Sequence, residues 1–265
     1  MKSFVQWSIK KLGIVFSSLA VTIFIILLLE QALPDFLVQM LLGTNEESYP
    51  ITFQTIMWFP FALGLVVLFN RGLGYYENIR NFRHSIDQLE NLELDNSETL
   101  NSLINAYSDV KHHHTNNTYL YLYLSGLETL NYSTRYNDVK DEVEATSNAL
   151  FTNIDSAYSK IKYLAWLLPT LGFMGTVYGI SISVASFGMM SPDSPDFLSS
   201  IAENLAVAFN TTLLSLIQSS IIVLIVTFME NMENDFISSS VVKIQNSLRR
   251  QIRQIDPQKF FSRSA

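Results

Sequence analysis

Apolar residues come in blocks along this chain. Four windows contain no Asp, Glu, Lys or Arg: Leu12 to Leu29, Ile51 to Asn70, Tyr163 to Pro192 and Leu205 to Met229. A bilayer core takes roughly 20 apolar residues as helix, and all four windows reach that length, the first narrowly. In lipid a helix satisfies its own backbone hydrogen bonds, so helix is the expected form. The pattern predicts spans at about 10–30, 51–70, 163–190 and 204–229.

Helical periodicity continues beyond the last two windows. Val139, Val143, Leu150, Ile154, Ala157, Ile161 and Leu164 fall on one face, with no Pro or Gly between Asp138 and Leu168 to break it. Span three therefore reads as the upper part of one helix of about 50 residues, on the order of 75 Å long. Ile237, Val241, Ile244, Leu248, Ile252 and Ile255 continue span four in the same way, until Asp256-Pro257 ends it. Between the two hairpins, Asp95 and Glu98 have capping-box spacing, and Leu100, Leu103, Ile104, Tyr107 and Val110 follow at helical intervals. "YLYLYL" (Tyr119 to Leu124) fits a short strand by alternation, although its neighbours read as helix.

The expected fold is an all-α membrane protein. It has four transmembrane helices, the last two extended into the cytoplasm as long helices. The organisation is an N-terminal membrane hairpin (1–70), a cytoplasmic helical segment (71–162), a membrane core (163–230) and a C-terminal cytoplasmic helix and tail (231–265).

Charge placement assigns the sides. Charged residues make up only 15% of the chain, and the 17 Lys and Arg all lie in the N-terminal tip, between Arg71 and Lys162, or after Met229. The two remaining loops hold only acidic charges: Asp35, Glu46, Glu47, Asp193 and Asp196. By the positive-inside rule both termini are cytoplasmic, as expected in a bacterial inner membrane. Lys2, Lys10 and Lys11 resemble the flank of a signal peptide, but the apolar run is long and no small-x-small cleavage site follows it, so a retained helix is expected.

Other chemistry is sparse. The absence of cysteine excludes disulfides and thiolate metal sites. His112, His113 and His114 are consecutive, whereas helical metal ligands sit at i and i+4, so no metal site is expected. Arg249, Arg250 and Arg253 suit the end of a helix dipole and are too few for a nucleic-acid footprint. The sequons at Asn116 and Asn131 fall in a segment read as cytoplasmic, where glycosylation does not act. Nothing points to an enzyme or to a bound cofactor.

The two long spans carry the distinctive pattern. Gly172, Thr176, Gly179, Ser183 and Ser186 share one face of span three, and Ala208, Thr212, Ser215 and Ser219 share one face of span four. Thr211 and Asn210 flank the second stripe, and Gln218 lies beside Ser219. One reading is tight helix packing, since small residues let membrane helices approach closely and Gly175-x-x-x-Gly179 has the required spacing. Gly172, Gly175, Gly179 and Ala208 are the candidates for it. The other is a polar path lined by Thr176, Thr212, Thr211, Asn210, Ser183 and Ser215. Neither span carries a carboxylate or amine, and hydroxyls do not carry a proton at neutral pH. A conducting path of this kind needs a titratable group from a second protein.

At these residues the sequence resembles the MotA/TolQ/ExbB family. "PTLGFMGTVYGI" (Pro169 to Ile180) is similar to the family's "GLxGTVxGI" signature, and "AVAFNTTLLSLIQSSIIVLIVTFMEN" is similar to its last span. The resemblance implies an ion-driven motor or stator subunit that transports H+ or Na+. It implies a homopentamer around a dimer of single-span, aspartate-bearing partners of the MotB/TolR/ExbD kind. Thr176 matches the "GTV" threonine and Thr212 the last-span threonine. There are departures: Val207 stands where the family has a glutamate, Glu203 is one turn further out, and Ser215 replaces a frequent glycine. The paired Thr211 and Thr212 resemble sodium-driven stators, so both ions stay open. The alternative is a non-conducting membrane scaffold assembled through the small-residue face. The process driven, whether flagellar, outer-membrane, gliding or defensive, is not specified by these residues.

The native chain has no cysteine, so topology is directly testable. A Glu47→Cys variant should react with a membrane-impermeant maleimide from outside intact cells. Lys140→Cys should react only after permeabilisation. The reverse pattern refutes the assigned sidedness.

Overall fold

The computed structural model describes residues 2–44, 49–90, 118–130, 133, 135–189 and 197–254. The Asp95–Glu98 cap, the pattern over Leu100 to Val110, His112 to His114, the loop acids Asp193 and Asp196, and Asp256-Pro257 lie outside these residues, as does the side chain of Ser186. Every described element is an α-helix: α1 (Lys2–Ala32), α2 (Asp35–Leu42), α3 (Phe53–Glu90), α4 (Thr118–Leu130), α5 (Tyr136–Met189) and α6 (Phe197–Gln254). Four of them, α1, α3, α5 and α6, are long and apolar enough to cross a bilayer. The chain is a multi-pass membrane protein with two long final helices.

The helices divide into two compact units, residues 1–70 with 158–227 and residues 71–157 with 228–265. In the first unit, α2 occupies part of the stretch between the first two spans, which the apolar pattern leaves as loop. It ends on Gly43, whose φ of 67° is left-handed and whose N–H bonds the Gln39 carbonyl. The start of α3 is pinned to it: the Thr52 hydroxyl donates to the Leu41–Leu42 turn at Leu42 O (2.7 Å), and Trp58 Nε1 donates to Leu41 O (3.1 Å). Much of α1 stays exposed, with Leu12, Phe16, Ile23 and Phe24 outward, as a lipid-facing helix requires.

α3 packs on α5 and α6 through Gly64. A Cβ there would lie 2.9 Å from Ile222 Cδ1 and 4.0 Å from Leu164 Cδ1. Phe53 packs against Tyr178 with ring centroids 5.3 Å apart and the planes tilted by 48°. Two prolines lie inside these helices, Pro60 in α3 and Pro169 in α5. Proline has no N–H, so Pro169 leaves the Ala165 carbonyl without its helical donor. The Ser219 hydroxyl of α6 supplies the missing bond, at 2.7 Å to Ala165 O. A broken backbone bond inside α5 thus becomes a link between two helices.

The second unit is a helical bundle with an apolar core of Leu122, Tyr123, Leu127, Val139, Val143, Ile154, Ile237, Ile244 and Leu248. The "YLYLYL" stretch is helical, within α4. Its residues Leu122 to Leu127 are all buried, which removes the polar face that normally reveals helical period. Gly126 allows the approach: a Cβ there would sit 2.5 Å from Leu248 Cδ1 and 3.0 Å from Val143 Cγ2. Polar ties complete the unit. Arg71 pairs with Glu233 at 2.6 Å, Gln245 donates to Glu144 at 3.3 Å, and Arg249 lies over the Tyr136 ring at 5.4 Å.

Ser219→Ala should lower stability by about 1 kcal/mol, the usual net worth of such a bond, read as a lower thermal unfolding midpoint in detergent. In a Pro169→Ala background, where α5 regains its own donor, the same substitution should cost measurably less.

Candidate functional site

The small-residue stripes of α5 and α6 face each other within one chain. A Cβ on Gly172 would fall 2.0 Å from Ser215 Oγ and 3.0 Å from the Thr211 carbonyl oxygen. On Gly175 it would meet Thr211 Oγ1 at 2.8 Å, and on Gly179 it would meet Ala208 Cβ and the Asn204 carbonyl oxygen, both at 2.9 Å. Numbers rise on one helix as they fall on the other, so the pair is antiparallel. The three glycines and Ala208 form a contact too close for any larger side chain. Thr211, Ser215 and Ser183 are buried in this seam, at 0%, 1% and 3% exposure.

The hydroxyls spend their protons on backbone carbonyls. Thr176 Oγ1 lies 3.1 Å from both its own helix at Gly172 O and the facing helix at Ala208 O. Thr211 Oγ1 donates to Ala208 O (2.8 Å), Thr212 Oγ1 to Phe209 O (2.9 Å), Ser215 Oγ to Thr212 O (2.8 Å) and Ser183 Oγ to Gly179 O (3.0 Å). A hydroxyl has one proton and two lone pairs. With the proton committed, what each oxygen can still offer is an acceptor, suited to a cation or to a protonated donor.

Only some of these oxygens are reachable. α3 covers one flank of the seam, at Ile222, Leu164 and Tyr178. At about 100° per residue, Thr176 and Thr212 fall on the opposite flank, and both are half-buried. Each stands in an exposed apolar frame one turn away on either side: Phe173 and Ile180 around Thr176, Phe209 and Leu216 around Thr212. On the same flank, towards Lys162, a groove of about 350 Å³ runs between the helices, lined by Trp166, Pro169, Ser219, Val223 and Thr227 among others. Asn210 is two residues from Thr212, about 200° round the helix, and so faces away from it.

The six polar candidates therefore separate. Thr176 and Thr212 share an open flank; Thr211, Ser215 and Ser183 lie in the seam; Asn210 points elsewhere. Two features escaped the stripe pattern. The apolar frame reads in sequence as ordinary lipid-facing residues. The Ser219–Ala165 link was signalled by Pro169, four residues after Ala165. Glu203, at the start of α6, is exposed, and no cluster of three metal-ligating side chains exists among the described residues.

Residues 114–240 match the sequence model of the MotA/TolQ/ExbB proton channel family. That range takes in α4, the whole seam and most of α6. No curated protein sequence and no solved structure matches the chain.

Gly172→Ala should destabilise the helix pair by roughly 1–3 kcal/mol through overpacking. Ser215→Gly removes the atoms it strikes, so the double variant should regain part of the lost unfolding midpoint. A double variant no better than Gly172→Ala alone would show that the contact does not limit packing.

Proposed function

We propose that this chain is the wall subunit of an ion-driven motor, a reading supported by the match of residues 114–240 to the MotA/TolQ/ExbB proton channel family. Copies of it, five by family expectation, surround a dimer of single-span partners that supply a membrane aspartate. The complex sits in a bacterial inner membrane with both termini of this chain cytoplasmic. Proton or sodium ions move past the aspartate, and the work appears as rotation of the ring about the partner.

One observation carries this reading. Thr176 and Thr212 share the flank of the seam that α3 leaves uncovered, with their protons bound to carbonyls and their lone pairs free to accept. Around them stand exposed Phe173, Ile180, Phe209 and Leu216. An apolar surface with two acceptor points fits an apolar helix bearing one acid. The partner's carboxyl, when protonated, donates to a threonine oxygen. When ionised, it holds the ion between itself and that oxygen.

The scaffold alternative is disfavoured by the same geometry. Gly172, Gly175 and Gly179 meet α6 of their own chain, so the small-residue face is not left over for joining other molecules.

The test is ion flux in vesicles holding the full chain with its single-span partner. Thr176→Val and Thr212→Val each keep the shape and remove the acceptor, and should lower flux by about tenfold or more, as loss of a positioned polar group does. Thr212→Ser should retain it. Flux unchanged in both valine variants rejects the pore assignment.

A further inference from the structure

Gln218 of α6 is 2% exposed, and neither its Oε1 nor its Nε2 has a hydrogen-bond partner in the protein. Its surroundings on α6 are Leu214, Ser215 and Ile222, all buried, and the Ser215 hydroxyl is committed to Thr212 O. An amide left with both functions unmet inside a membrane bundle is strongly unfavourable, and buried polar groups in native proteins find partners.

The facing helix offers a second unmet group. Phe53 lies on Tyr178, whose neighbour Gly179 meets Ala208, while Gly64 meets Ile222. α3 and α6 therefore run in the same direction here. Stepping back one turn from the Gly64–Ile222 contact puts Pro60 level with Gln218 on the facing surfaces, and Pro60 is buried. Pro60 has no N–H, so the Ile56 carbonyl, which points along the helix towards it, lacks its helical donor. No side chain is seen doing for Ile56 what Ser219 does for Ala165 among the described residues.

We infer that the wedge between Gln218 and Pro60 is a binding site for internal water, bridging the Gln218 amide and the Ile56 carbonyl. The chemistry selects the ligand. Oε1 needs a donor, Nε2 needs an acceptor, and the Ile56 oxygen needs another donor. A cation satisfies only the oxygens and an anion only the nitrogen, whereas water satisfies all three, and buried waters typically hold about three hydrogen bonds. The site lies on the α3 side of α6, apart from the flank bearing Thr212. It does not depend on the channel reading.

Solid-state NMR of the full chain in lipid bilayers tests it, with the glutamine side-chain nitrogens labelled. Gln218→Met, close in volume, removes one amide pair and so identifies it; sequential assignment of the wild type provides the same identification if that variant does not fold. The Gln218 pair should receive magnetisation from water well above the level reaching the Leu214 and Ile222 methyls. Pro60→Ala returns a donor to Ile56 and removes one of the water's three partners, so the transfer should fall by about twofold or more. A Gln218 pair no more water-coupled than those methyls overturns the site. Unchanged transfer in Pro60→Ala overturns the bridge to Ile56.

Discussion

The contact on which the rest of the membrane unit depends is the approach of α5 to α6 at Gly172, Gly175 and Gly179. In lipid there is little hydrophobic drive between helices, so dispersion and polar bonds between close backbones must hold them. Removing the Cβ at three successive turns brings the Ala208 and Asn204 carbonyls within reach of α5. Only at that separation can Thr176 share a proton with the Ala208 carbonyl, or Ser219 reach Ala165. The glycines thus create the polar bonds that look, in sequence, like an independent hydroxyl pattern.

That coupling explains what the sequence revealed and what it concealed. The four spans were legible because charge is excluded from long windows, a constraint lipid imposes directly. The continuation of α5 and α6 was legible because half-buried helices keep their period. The short helix α2 was not, since eight residues near an apolar hairpin carry too little pattern. α4 was ambiguous for the opposite reason: burial on all sides erases the amphipathic signal. At the site, the stripe pattern put Thr176 and Thr212 on the small-residue faces of the two helices, and both lie on the flank of the seam that α3 leaves open. It could not separate them from Thr211, because one residue of rotation decides between seam and flank, and that depends on where α3 packs.

The two internal prolines show one defect handled in two environments. At Pro169 the freed carbonyl meets a serine from the neighbouring helix. At Pro60 the level residue is a glutamine, whose amide is longer and has two functions to satisfy. In both cases a break in one helix is matched by a polar residue on α6, spaced one residue apart at Gln218 and Ser219. The polar residues of this helix thus serve three directions at once: its own backbone, α5 and α3.

The commitment of every seam hydroxyl to a carbonyl has an economic consequence for the cell. Residues 163–189 of α5 and 205–229 of α6 carry no carboxylate or amine, and the seam hydroxyls have no uncommitted proton, so the seam by itself gives a proton no carboxylate or amine to ride on. On the channel role proposed above, such a subunit can be synthesised and inserted ahead of its counterpart without discharging the membrane, and conduction begins only when the partner's acid arrives. Assembly order and leak prevention are then one property, written into which way a handful of hydroxyls point.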